Sequence, residues 1–188
     1  DNVPHTGIMG YVDSLPKIPA AAIGYLDSDY LHNALVDDPN LIIKLKLNCK
    51  TLPDAESYNV VAEITGIEYP NEIIVVGGHF DSWDLGCGAH DDGTGCVQSM
   101  EVLHLFKELK LKPKRTIRCV LFINEENGSR GGKEYGKYAE QSSEYHIAAV
   151  ESDRGGFTPL GFDVDSDSLA LNKIKSWSSV LERSGIHW

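Results

Sequence analysis

Residues 77–95 read GGHFDSWDLGCGAHDDGTG and follow directly on the apolar run EIIVV at 72–76. The stretch holds four aspartates (Asp81, Asp84, Asp91, Asp92) and two histidines (His79, His90) among six glycines. A short apolar run that ends on glycines reads as a buried strand. Behind the loop, GTGCVQSMEVLHLFKELK (93–110) repeats Cys96, Met100, Leu103 and Phe106 three or four residues apart, the spacing of one helix face. Strand, acidic loop and helix in this order predict an α/β sheet with its charge gathered where a buried strand ends. A loop that only faced water could carry such groups anywhere, whereas a cation site needs them together.

The same alternation extends outward. YNVVAEITG (58–66), KPKRTIRCVLFIN (112–124) and YHIAAVES (145–152) read as strands, and GGKEYGKYAEQ (131–141) as a short helix. SDSLALNKIKSWSSVLERSG (166–185) predicts a closing helix, started by Ser or Asp and stopped near Gly185. Strands alternating with helices imply a mainly parallel sheet with helices on both faces, a three-layer αβα sandwich, over residues 57–188. Residues 1–56 differ in texture. A short strand and a helix are expected within 14–35, and NLIIKLKLNCK (40–50) alternates like a half-exposed strand, which gives a partial β-rich domain.

Composition narrows the function. A net charge of −11 excludes a nucleic-acid backbone as partner, because that needs a basic stripe. No apolar stretch approaches the ~20 residues of a membrane span. The four cysteines (Cys49, Cys87, Cys96, Cys119) form no C-x-x-C pair, which argues against a structural zinc ribbon; Cys96 and Cys119 fall in the helix and strand patterns and are expected to be buried thiols. The chain starts at Asp1 without Met and closes on GIHW, so a piece of a longer protein is expected.

The predicted strand ends deliver a coherent set of groups. His79 closes one strand, Asn124, Glu125 and Glu126 close the next, and Glu151, Ser152 and Asp153 close a third, with Asp91 and Asp92 just ahead of a helix. The carboxyl ends of parallel strands share one edge, and ligands bind in the crevice there. Each group alone reads as a surface His, a turn or a solvated acid pair. Together they form a constellation, and adjacent anions need a cation between them. One imidazole with several carboxylates suits zinc, with manganese and cobalt as alternatives.

In order and spacing, GGHFDSWD (77–84), GAHDDGTG (88–95), NEENG (124–128) and ESDRGG (151–156) resemble the motifs of the co-catalytic zinc exopeptidases of the aminopeptidase type. The resemblance runs from about Val3 to Phe162. It implies hydrolysis of dipeptides or short peptides by water held at two Zn2+ ions. Asp91 would bridge the ions, His79 and Asp153 would complete one, and Glu126 would bind the other. Glu125 would be the general base, and Asp81 would accept a hydrogen bond from the His79 imidazole. A cis peptide between Asp91 and Asp92 is implied too.

One departure matters. The resembling family takes a last His ligand from a segment well downstream of Asp153, and nothing here fits that segment. His187 lies too near in sequence, and His90 is expected to face solvent, so one tight metal site and poor turnover are expected of this stretch. Residues 1–56 resemble the later part of a protease-associated insert domain. The resemblance also implies a secreted or exported protein and allows a homodimer. Two other readings of the scaffold are a metal-free interaction module, which should show eroded ligands, and a glutaminyl-cyclase-like acyl transfer enzyme holding one zinc. Arg154 is a candidate for a substrate carboxylate; Trp83 and Phe157 are candidates for the pocket wall or for packing beneath the loops.

Overall fold

The computed structural model describes residues 2–4, 9–84, 86–153 and 155–186. They divide into two compact units, 1–154 and 155–188. The first carries a four-stranded sheet of β1 (Val60–Ile64), β2 (Tyr69–His79), β3 (Arg115–Phe122) and β4 (Tyr145–Glu151) in the order β1-β3-β2-β4. β2 runs parallel to both β3 and β4, and β1 closes the β3 side antiparallel. The sheet is therefore mainly parallel, as the alternation of strands and helices predicted.

Apolar residues of β2 and β3 build the core. Ile73, Val75, Cys119 and Val120 are each at most 4% exposed. Register then decides where the polar residues emerge. Gly77 pairs with Val120 on one side and with Glu151 on the other, and His79 pairs with Phe122. The three parallel strands thus end at nearly one level, and the loops after them open on one edge.

Successive residues of a strand face opposite sides, and the glycines of β2 show what covers each. A side chain at Gly78 would collide with Asp92 and the start of α2 (Thr94–Glu108). A side chain at Gly77 would press on Phe122, whose ring meets Tyr135 of α3 (Arg130–Gln141) edge-on at 5.8 Å. Hence α2 and α3 cover opposite faces. α2 buries Gly95, Cys96 and Ser99, with Leu103 and Phe106 half-buried behind them. Met100, expected on this face, is 47% exposed, because the buried stripe passes through Ser99 instead.

On the α3 face Arg118 is 6% exposed and fully paired. Its guanidinium donates to both Glu144 oxygens at 2.8 and 2.7 Å, to Glu63 at 2.8 Å and to the Tyr135 hydroxyl at 3.2 Å. Tyr135 Oη also lies 3.0 Å from His146 Nε2. Burial, then the nearby guanidinium, lowers the His146 pKa, so its neutral ring can accept the Tyr135 proton. The Arg118 hydrogen bonds hold the Glu144 carboxyl below its ordinary range.

Upstream of β1 the structure departs from expectation. α1 (Tyr25–Asp37) is present but buries no residue. Neither the strand expected before it nor the one expected over 40–50 pairs with another segment among the described residues. Leu41, Ile43, Leu45 and Leu47 alternate as a strand should, yet all are exposed. Alternation records an intended face, and a ladder also needs a neighbouring strand.

The second unit holds α4 (Ser168–Lys175), α5 (Ser178–Leu181) and a 3₁₀ turn at Glu182–Ser184. Asp167 caps α4 by accepting from Ala170 N at 2.8 Å, and Gly185 ends the segment at φ 76°. The closing helix is therefore broken near Trp177 rather than continuous.

Replacing Glu144 by Gln should lower stability by about 2 kcal/mol near neutral pH, the scale of a charged hydrogen bond. Because the folded-state pKa of Glu144 is depressed, its contribution is present above the ordinary carboxylate value. It fades as pH falls through the depressed value. Urea unfolding of both proteins against pH should show the gap closing only at the acid end.

Candidate metal centre

β2 ends on His79, which is 1% exposed. Its Nδ1 lies 3.0 Å from the main-chain oxygen of Asp81. A carbonyl only accepts, so Nδ1 carries the proton and Nε2 turns its lone pair outward. That lone pair faces Asp91 Oδ1 at 3.0 Å and Asp153 Oδ1 at 3.0 Å. A lone pair and two carboxylates aimed at one point repel unless a cation lies among them. A proton is one such cation: burial works to lower the His79 pKa, but the Asp81 carbonyl and the Asp153 carboxylate outweigh it and the value is raised. A metal ion is the other. Ligands ~2.0–2.1 Å from a tetrahedral zinc stand roughly 3.3 Å apart, so the observed spacing need open only slightly.

Glu126 joins the cluster from the β3 side. One oxygen or nitrogen each of His79, Asp91 and Glu126 lie within 4.8 Å of one another, as do those of His79, Asp92 and Asp153. Burial, and then the neighbouring Asp91 carboxylate, push the Glu126 pKa upward. So the four residues expected as ligands gather around His79: it ends β2 itself, Asp91 comes from the loop after it, and Glu126 and Asp153 lie just beyond β3 and β4.

Asp92 plays a different part from its neighbour. It is 1% exposed, and its oxygens accept the main-chain N–H groups of His79 at 2.9 Å and Gly95 at 3.0 Å. Burial raises its pKa against those two bonds. Asp92 is an anchor between β2 and α2, while Asp91, joined to it by a cis peptide, is left to face the cluster. Sequence reasoning missed this role. Its signal was available, since an acid three residues before a helical N–H is a capping pattern. Gly95 must be glycine, because a Cβ there would run into Ser152 O and the Asp92 carboxylate.

The thiol of Cys96 donates to His79 O at 3.1 Å. Burial, then the Asp92 charge, push its pKa up to about 11, so it stays a thiol near neutral pH and donates to that carbonyl.

The acid pair sits in a turn beyond β3, not on the strand itself. Asn124 adopts φ 61°, a left-handed conformation that Asn tolerates better than most residues. Its Oδ1 is buried without a partner. The next two N–H groups, of Glu125 and Glu126, point at the Asp81 carboxylate at 2.9 and 3.3 Å. Asp81 accepts from the imidazole as expected, and its main-chain and side-chain oxygens divide the work. The imidazole is held by its main-chain carbonyl, and its carboxylate oxygen is 3.8 Å from Nδ1. The carboxylate instead clamps the turn that carries Glu125. Ser129 Oγ lies 3.4 Å from Glu125 Oε1.

Among the remaining candidates, His90 is exposed and Trp83 half-buried. Phe157 is 84% exposed. Arg154 and His187 lie outside the described residues.

Residues 59–183 match peptidase family M28. The chain belongs to that family. Human carboxypeptidase Q is 41% identical over 179 residues, and the bovine protein 44% identical over 179 residues; each alignment covers 95% of this chain and 38% of the relative. The solved structure of a Peptidase M28 precursor from Shewanella amazonensis SB2B is similar with a TM-score of 0.81 and 37% identity, over 99% of this chain and 42% of that one. The chain thus spans about two fifths of the length of these relatives.

In this M28 chain, Asp81→Ala should separate the two functions of that residue. The slowly exchanging imidazole Nδ1 proton of His79 should persist in NMR spectra, because its acceptor is main chain. The amide protons of Glu125 and Glu126 should lose protection. Loss of the imidazole signal with both amides still protected would reverse the assignment.

Proposed function

We propose that this chain is the metal-binding part of a zinc-dependent exopeptidase acting on dipeptides or short peptides. The observation that carries the reading is the aim of His79 Nε2 at Asp91 and Asp153, with Glu126 in the same cluster and Glu125 beside it in one turn. Membership of family M28 and similarity to carboxypeptidase Q support it. When bound, zinc would supply Lewis acidity to the scissile carbonyl and acidify water.

The chain's own residues would do the rest. His79 and Asp153 hold one side of the site, Glu126 the other, and Asp91 lies between them. Glu125 takes a proton from the attacking water and passes it to the leaving amine, so its carboxylate must be free to receive it at neutral pH. Asp81 keeps the acid pair pointed inward through its two N–H acceptances. Among the described residues the Glu126 side offers one donor of its own beyond Asp91, so one ion would be held tightly and a second weakly. Residues 1–56 belong in this reading to an insert domain, and 57–188 to the first part of the catalytic domain.

Elemental analysis paired with a dipeptide hydrolysis assay tests the reading. The chain should carry about one zinc per molecule, removable by chelation. In the longest expressible form of the protein, Glu125→Gln should cut kcat by roughly 100-fold or more and keep its metal. Metal-independent hydrolysis, or full activity in Glu125→Gln, would exclude the mechanism. Two equally tight zinc ions in the 188-residue chain would exclude the asymmetric site.

A further inference from the structure

The turn bearing Glu125 and Glu126 is pinned at its base as well as at Asp81. Asn59, the residue before β1, is half-buried and reaches across to both ends of the segment 123–131. Its Oδ1 accepts Ile123 N at 3.1 Å, and its Nδ2 donates to Gly131 O at 2.9 Å. The ends also bond to each other, Gly131 N donating to Ile123 O at 2.9 Å and Arg130 N to Asn124 O at 3.3 Å. The N–H and C=O groups of Ile123 and Gly131 are therefore all engaged at one neck. The fit is close: a Cβ on Gly131 would strike Asn59 Oδ1 and Ile123 O.

This geometry asks for one residue type. The neck offers a donor and an acceptor a few ångströms apart, and a short planar amide matches both at once. Asp lacks the donor, Gln carries its amide one carbon farther out, and Ala leaves both groups without a partner. In parallel, Asp81 accepts the N–H groups of Glu125 and Glu126 inside the loop. With the neck closed by Asn59 and the tip held by Asp81, the two acids move only as a unit.

We propose that Asn59 is a positioning residue for the acid pair, acting through the neck at Ile123 and Gly131 rather than on substrate or metal. This rests on the proposed metal-dependent reading for its functional consequence, while the claim about the loop stands on its own geometry. Opening the neck would release Glu126 from the cluster and Glu125 from its aim. The effect belongs in metal affinity and kcat, with little change in KM.

The test compares the zinc-loaded chain with Asn59→Ala, Asn59→Asp and, as a control for lost stability alone, Glu144→Gln. Zinc affinity is measured by chelator competition, and amide protection by hydrogen exchange with NMR. At about pH 7.5 both Asn59 variants should bind zinc roughly 10- to 100-fold more weakly, the scale of lost outer-shell partners. Both should lose protection at Ile123 and Gly131, while Glu144→Gln matches wild type in both readouts. Near pH 4 or below, the introduced carboxyl of Asn59→Asp takes up a proton and can again both accept and donate. Its protection should then return toward wild type, and that of Asn59→Ala should not. Wild-type zinc affinity in Asn59→Ala, equal loss in Glu144→Gln, or no recovery of Asn59→Asp in acid would each overturn the proposal. If wild type bound no zinc, the peptidase reading would fall, and unchanged protection in Asn59→Ala would still overturn the role of Asn59.

Discussion

Parallel pairing of β2 with both neighbours is the constraint on which everything else rests. Gly77 stands level with Val120 and with Glu151, so the three chains leave the sheet within a residue or two of one another. His79 and Asp153, which lie on different strands' ends, thereby come within 3.0 Å of each other. A slip of one residue in either ladder would turn His79 to the opposite face. The buried residues that fix this register, Ile73, Val75, Cys119 and Val120, are thus as much a part of the site as the polar cluster itself.

Around that edge, main-chain atoms carry much of the fine positioning. The imidazole is oriented by a carbonyl, Asp92 is held by two amides, and the acid pair is held through its own N–H groups. Backbone partners survive side-chain substitution, and they tie the geometry of the cluster to the integrity of β2 and its loops. They also bring several like charges into a partly buried space. Burial first, and the neighbouring carboxylates after it, raise the pKa of Asp92 and of Glu126, and a divalent cation would oppose both effects.

The alternation from 57 onward made the sheet, its covering helices and the polar groups at the strand ends legible in the sequence, because buried parallel strands are short apolar runs stopped by glycine or acid. His79, Asp91, Glu126 and Asp153 could be placed at one edge for the same reason. What stayed hidden depended on partners outside the local pattern. The 40–50 segment alternates correctly and finds no ladder. Asp81 was legible as the acceptor for the imidazole, but that its carboxylate also accepts from Glu125 N and Glu126 N, beyond β3, was not. Asp92 and Asn59 read as ordinary turn and strand-edge residues until their bonds across the fold are seen.

The Cys96 thiol, tucked under the His79 carbonyl, has a consequence for reactivity. With its pKa near 11, only about one molecule in ten thousand holds a thiolate at pH 7. Alkylating reagents should therefore pass over this sulfur while β2 and α2 stay together. Any labelling there would be a clock for the moments when strand and helix part, timed from the last residue of β2.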